Sequence, residues 1–238
     1  MNSIRKAHVI HYTKLSERKA NMLQYFSETD MELNFIELYD QEDLSEDLLD
    51  GAYSPNETSF ENKIAELWGF GVTQKENRFR RLTGGELSCI LKHIEAIRLI
   101  AEGDEEFGLI LEDDAVPTTP EFLEVLDKIL QNAGPDWDAI FLGAGCGLSF
   151  INSKLLEGHE RITNELFKVS HPATNCAEAY LLKKSSAKKL YNSILPFNLA
   201  GDWELAYQFY KLDMEVYWCA PPIFEQGSKN GMFTSALR

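Results

Sequence analysis

The sequence has no run of about 18 apolar residues, so nothing in it reads as a membrane span. Its start, "MNSIRKAHVIHYTK", carries no long apolar stretch and no small-residue cleavage pattern, and a secretory signal is not expected there. Cysteine is scarce. Cys89, Cys146, Cys176 and Cys219 stand far apart with no C-x-x-C spacing. That excludes a legible zinc or redox motif and predicts four free, mostly buried thiols in a reducing, cytoplasmic setting. Basic charge is also short, with 23 Lys and Arg against 38 Asp and Glu and a net charge of −15. A field of that sign disfavours sequence-independent binding to nucleic acid or to anionic lipid. The dense basic exception is "KENRFRRL", Lys75 to Leu82.

What is present suits a folded domain. Hydrophobic residues make up 44% and charged residues 26%, enough apolar content to bury a core. "AHVIHY" (7–12) is a short β-forming run, Ser16 offers a cap for a helix over "ERKANMLQYFSE", and "MELNFIELYD" predicts a second strand. The opening is thus β-α-β, the unit of a parallel sheet. "GGELSCILKHIEAIRLIAEG" puts Leu87, Ile90, Leu91, Ile94, Ile97 and Ala101 on one helical face, with Gly103 as a stop. "FGLILE" reads as a buried strand, and "TPEFLEVLDKILQNAG" as a helix capped by Thr119 and ended by Gly134. "WDAIFLGAG" is a strand ending in small residues that would let backbone approach a ligand. "AEAYLLKK", "SSAKKLYNSIL", "GDWELAYQFYKLD" and "MEVYWCAPPIF" continue as strand, helix, helix and strand. The expected class is α/β: a Rossmann-like, mixed and mainly parallel sheet flanked by helices. With no repeat or composition break, residues 1–238 read as a single domain with a loop-rich excursion over 41–81.

One stretch poses a chemical problem. "LILEDDAVP" (109–117) ends a buried strand with Glu112, Asp113 and Asp114. Adjacent carboxylates repel, and more so as the site dries. Either the strand simply emerges into water, or a hard divalent cation such as Mg²⁺ or Mn²⁺ takes the oxygens as ligands. If the chain stays extended, Glu112 and Asp114 share one side; if it turns, Asp113 and Asp114 cooperate. Ligands of open α/β sheets bind beyond the carboxyl ends of the strands, where this triplet lies.

Several blocks in order resemble glycosyltransferase family 25, the lipopolysaccharide-biosynthesis and collagen-type galactosyltransferase family. They are "LTGGELSCILKHIEAI", "LILEDDAVP", "WDAIFLG", "AYLLKKSSAKKL", "DWELAYQF" and "APPIFEQGS". The resemblance implies a GT-A fold, a UDP-sugar donor (usually UDP-galactose or UDP-glucose), a divalent metal, inversion at the anomeric carbon, and a glycan or glycolipid acceptor such as a lipopolysaccharide. It differs from the family's usual opening, with His11, Tyr12, Thr13, Lys14 and Leu15 where an Asn-Leu pair and Asp-Arg-Arg are expected, and with Lys92-His93 in place of Ser-His.

The resemblance also suggests roles. Asp114, with Glu112 or Asp113, would hold the metal against the donor diphosphate. Gln226 would approach metal or diphosphate through its amide oxygen; otherwise it is a loop glutamine bonded to backbone. Asp202 is the candidate general base, made more basic by burial near Trp203, although "GDWE" also reads as a helix N-cap. His93, at the edge of an apolar helix face, either holds the acidic tip or a substrate hydroxyl, or is a bonded core histidine. Arg18 is placed for phosphate or uracil, and Gly84, Gly85 and Glu86 for phosphate at a helix start; the alternatives are a surface charge and an ordinary turn. Arg78, Arg80 and Arg81 either attract an anionic acceptor or lipid head group, which leaves peripheral membrane contact open, or stay solvated. Trp68, Phe70 and Phe79 either stack on sugar or pack on the core. Two other classes compete: a phosphatase or nucleotidyltransferase, disfavoured because no G-x-x-x-x-G-K-[ST] loop is present, and a non-catalytic nucleotide- or carbohydrate-binding module of the same fold.

Overall fold

Apolar runs with no polar alternation imply strands covered on both faces, and that is how the sheet is built. The computed structural model describes residues 4–68, 78–143, 160–168 and 176–235. It opens with β1 (Lys6–Ile10), α1 (Ser16–Tyr25), β2 (Glu32–Ile36), α2 (Glu46–Leu49) and α3 (Glu57–Trp68). Next come α4 (Gly84–Glu102), β3 (Phe107–Glu112), β4 (Ala115–Pro117), α5 (Phe122–Asn132) and β5 (Ala139–Phe141). Then follow β6 (Glu160–Arg161), β7 (Leu166–Lys168), β8 (Ala179–Lys183), α6 (Lys184–Ser193), α7 (Gly201–Lys211), β9 (Val216–Cys219), β10 (Phe224–Gln226) and α8 (Gly227–Asn230).

Among the described residues the main sheet runs β2-β1-β3-β8-β5-β9-β7-β6. β2, β1 and β3 are parallel, as are β5 and β9, while β8 and β7 oppose their neighbours. Six of the eight strands therefore point one way, all but β7 and β8, so the sheet is mixed with one dominant direction. Ile110, Tyr180, Leu182, Val216 and Trp218 join the core on the side of α4, α6 and α7. Leu109, Leu111, Ala179, Leu181, Tyr217 and Cys219 join the core beneath α1 and α5. The two-residue alternation sends successive side chains to opposite faces, and both faces of the central strands are dry.

The chain leaves β1 for β2 on one side and later returns to β3 on the other. The crevice beyond the carboxyl ends of β1 and β3 is thus a point where strand order reverses, the usual ligand position in such sheets. Ile10 pairs with Glu112 there, and the Asp113 amide donates to the Ile10 carbonyl at 3.0 Å.

Several expectations need correction. Ser16 is the first residue of α1 and not its cap; Leu15 occupies that place with no side-chain bond. Thr119 does not cap α5 either, because the helix starts at Phe122 after a turn. At Gly143, after β5, the space a Cβ would take is filled by Glu178, whose Oε1 would lie 2.2 Å from it; Ala144 and Gly145 lie outside the described residues. Within the loop-rich stretch, "FENKIAELW" forms a helix as its pattern suggests, inside α3, whereas α2 was not expected. Cys176 is disulfide-bonded, whereas Cys89 and Cys219 are free and Cys146 lies outside the described residues. The inference of a reducing compartment from four thiols loses that support. No described helix is long and apolar enough to cross a membrane.

Candidate active site

Beyond the ends of β1 and β3 the acidic triplet splits into two different environments. Asp113 points back into the protein. Its Oδ1 accepts from Arg18 Nη1 at 2.7 Å, and its Oδ2 lies 2.8 Å from His11 Nδ1 and accepts from the Tyr12 amide at 3.3 Å. Arg18 is itself buried and donates with Nη2 to the Thr234 carbonyl at 2.5 Å. Asp113 is therefore fully occupied by protein groups.

Glu112 and Asp114 are not. Glu112 Oε2 accepts from Gln226 Nε2 at 3.3 Å, and Oε1 lies 3.4 Å from His93 Nε2, both long contacts. Asp114 Oδ2 accepts from the Ser228 amide at 3.3 Å, while buried Oδ1 has no partner. Gln226 Oε1 is also buried and unpartnered. A buried oxygen without a donor costs about 1–3 kcal/mol, so two of them linked to the same Glu112 need an explanation. Burial and the charge of Glu112 push Asp114 up to about 6, against the opposing pull of the Ser228 amide and Arg18.

The small sheet of β4 and β10 brings these groups together. Gln226 pairs with Ala115 across it, and the Gly227 amide donates to the Asp114 carbonyl at 2.7 Å. A segment more than 100 residues downstream is thereby fixed against the acid triplet.

Two cavities meet at this point. The smaller, about 100 Å³, lies over the end of β1, with Tyr12, Arg18, Gly85, Lys92 and Asp113 in its walls. The larger, about 360 Å³, is walled by Arg78, Arg80, His93, Asp202, Trp203 and Lys229. Glu112, Gln226, Ser228 and Cys89 line both.

Asp202 occupies the second position of α7. The N-cap is Ala200, so the aspartate is not the cap, although its Oδ1 accepts the Trp203 amide at 2.9 Å. Burial lifts its carboxyl to about 7; the Trp203 amide opposes and Glu112 adds to the rise. His93 is buried on α4 with Nδ1 3.1 Å from the Tyr180 hydroxyl, bridging the core to Glu112. It faces both a core partner and the site.

Other expected residues are committed locally. Thr83 and Glu86 form a reciprocal cap at the start of α4, and Glu86 also holds Arg80. Gly85 reaches the smaller cavity, but Gly84 faces Gln41, whose Cβ would be 3.3 Å from an added methyl. Phe79 packs edge-on to Phe60 at 5.7 Å, within the cluster beside α3 and α7. Phe70 and the side chain of Trp68 lie outside the described residues.

Sequence reasoning missed several residues. Lys92 is 2% exposed and gives its ammonium to Asp40 and the His11 carbonyl. Glu204, wholly buried, accepts from Lys63 at 2.7 and 2.8 Å, from the amides of Asn198 and Leu199 at 3.1 Å, and from Gln208 at 2.9 Å. It ties α3 to the start of α7 beside Asp202. The available signal for Lys92 was its place near the apolar face of α4; for Glu204 and Lys63 there was none.

Comparison with known proteins gives the family. Residues 4–205 match the model of glycosyltransferase family 25 (LPS biosynthesis protein). The chain belongs to that family. It is by family a glycosyltransferase, a class that takes a sugar donor and a glycan acceptor. No curated protein matches the chain. Among solved structures, apo UDP-glucose pyrophosphorylase is similar, with a TM-score of 0.45 and 12% identity over 94% of this chain and 91% of that one.

Proposed function

We propose that this family member transfers a hexose, galactose or glucose, from a UDP-sugar to a glycan or glycolipid acceptor with inversion at the anomeric carbon. The chain acts as one domain, with the donor nucleotide over the ends of β1 and β3 and the acceptor in the larger cavity. One observation carries the reading: Asp114 Oδ1 and Gln226 Oε1 are buried without partners beside Glu112, where the two cavities meet.

Those oxygens suit a hard divalent cation, Mn²⁺ or Mg²⁺, which takes carboxylate and amide oxygens together with substrate phosphate. Glu112, Asp114 and Gln226 would hold it; Asp113, occupied by Arg18 and His11, would not. When bound, the cation supplies positive charge to the leaving diphosphate. The remaining work falls to protein groups. Arg18 and His11 keep the central aspartate in place, which leaves the outer two carboxylates for the cation. Asp202, held near neutrality in its proton affinity, takes the proton from the acceptor hydroxyl as it attacks from the face opposite the diphosphate. Trp203 offers an aromatic wall for the acceptor sugar in the same cavity.

The test is UDP release from UDP-galactose and UDP-glucose, with and without Mn²⁺ and a panel of acceptor glycans. Metal-dependent release that is lost in Asp114→Ala supports the reading. Nucleotide binding with no turnover under any acceptor would replace it with a binding module.

A further inference from the structure

Glu112 has a second set of neighbours with different chemistry. Cys89 and His93 stand one turn apart on α4, at positions i and i+4, so their side chains share one face of the helix. Their Sγ and imidazole nitrogen, with a Glu112 oxygen, all lie within 4.8 Å of one another. Sulfur, nitrogen and carboxylate oxygen form a ligand set for zinc rather than for magnesium or manganese. From this geometry we infer that Cys89, His93 and Glu112 chelate a thiophilic divalent cation, zinc foremost, and that its binding blocks transfer by taking Glu112 from the oxygen cluster. The blocking half rests on the function proposed above; the binding half does not.

The distances favour this set. Ligands at about 2.0–2.3 Å from a tetrahedral centre lie about 3.3–3.8 Å apart. His93 Nε2 and Glu112 Oε1 already stand 3.4 Å apart, a poor hydrogen bond but a good ligand spacing. Only the thiol has to close in, and Cys89 lines both cavities, so its sulfur has space to turn. The shell behind the histidine is also in place. With its proton on Nδ1, His93 donates to the buried Tyr180 hydroxyl at 3.1 Å and leaves Nε2 free to bind.

Charge balance works in the same direction. Glu112, Asp113 and Asp114 place their carboxylates in the cavity wall that Cys89 also lines. That negative field attracts a dication. On binding, the S–H bond breaks, the sulfur–metal bond forms and the proton passes to solvent. No oxidant or reductant is required. The two cations exclude one another because both need Glu112. A hard ion with Asp114 and Gln226 draws the carboxylate toward β10, and a soft ion draws it toward α4.

Cobalt(II) distinguishes the sites by its spectrum. Titrated into the full chain without nucleotide, it should give a sulfur-to-cobalt charge-transfer band in the near ultraviolet and strong tetrahedral visible bands, both removed by one equivalent of zinc. Cys89→Ser should abolish the sulfur band, His93→Ala should weaken cobalt binding by at least about 10-fold, and Asp114→Ala should retain the band. Absence of the band at saturating cobalt, or its survival in Cys89→Ser, overturns the site. Should Cys89→Ser not fold, His93→Ala and Glu112→Gln carry the same decision, since unchanged affinity in both also overturns it. In the Mn²⁺-dependent assay, zinc should inhibit UDP release, and the half-inhibiting concentration should rise at least about 10-fold in His93→Ala. A sulfur band without inhibition overturns the blockade. A band with no UDP release under any condition leaves the zinc site standing and removes the transferase reading instead.

Discussion

Arg18 Nη1 lies 2.7 Å from Asp113 Oδ1, a buried ion pair at the centre of an acid triplet whose outer members face the cavities. The pair explains how three adjacent carboxylates coexist. One is neutralised internally by Arg18 and shares His11; Glu112 has only long contacts, and Asp114 Oδ1 has no partner.

Removing Arg18 should therefore be costly. Arg18→Ala strips a buried carboxylate of its closest cation, a change worth about 3–5 kcal/mol. Urea unfolding should show that loss at neutral pH. A loss below about 1 kcal/mol would mean His11 alone suffices to hold Asp113.

Asp202→Asn should lower transfer by at least about 10²-fold while UDP-sugar binding stays nearly intact. The comparison is turnover against affinity from calorimetric titration. Parallel loss of both would assign Asp202 to donor contact instead of proton transfer.

The pH dependence follows from the same group. With its carboxyl raised to about 7, Asp202 is a carboxylate above that pH and loses base function below it. Transfer should rise over about one unit either side of pH 7, and the residual rate of Asp202→Asn should lack that limb. Stability moves the opposite way. The folded state holds a proton that the unfolded chain has already lost, so the stability associated with Asp202 is present below about pH 4 and declines as pH rises toward 7. Asp202→Asn should thus raise the Tm at pH 8, by roughly 2–4 °C for each kcal/mol relieved, and raise it little at pH 4. Scanning fluorimetry at the two pH values reads the difference.

Glu204→Gln leaves the buried Lys63 ammonium without its countercharge and should cost about 3 kcal/mol. Replacing both, Lys63→Met with Glu204→Gln, should recover part of that loss, read from denaturant midpoints. Because Glu204 also holds the amides of Asn198 and Leu199, Glu204→Gln should lower turnover through the start of α7 even where the fold survives.

Asp114→Ala should erase the thermal stabilisation given by Mn²⁺ with UDP-galactose. A ligand at 100 times its Kd contributes about 2.7 kcal/mol to the folded state. Equal stabilisation of the variant would place the cation elsewhere.

Local pattern was enough to see much of this. Apolar runs such as "LILE" and "AYLL" became β3 and β8 because their length and continuity suit only strands covered on two faces. The helical face of "GGELSCILKHIEAIRLIAE" became α4 with its Thr83–Glu86 cap. The cluster at 112–114 stood out because three charges after a buried strand are expensive anywhere. What sequence did not decide was which carboxylates act together. That depended on Arg18 of α1 and His11 just past β1 arriving to take Asp113, and on β10 pairing with β4 to set Gln226 and Ser228 beside Asp114. Nor did it reveal the Lys63–Glu204 and Lys92–Asp40 pairs, whose partners are 141 and 52 residues apart. Periodicity records the burial of one face over a few turns of chain. The pairing of buried charges is a property of packed neighbours, and only the tertiary structure makes them neighbours.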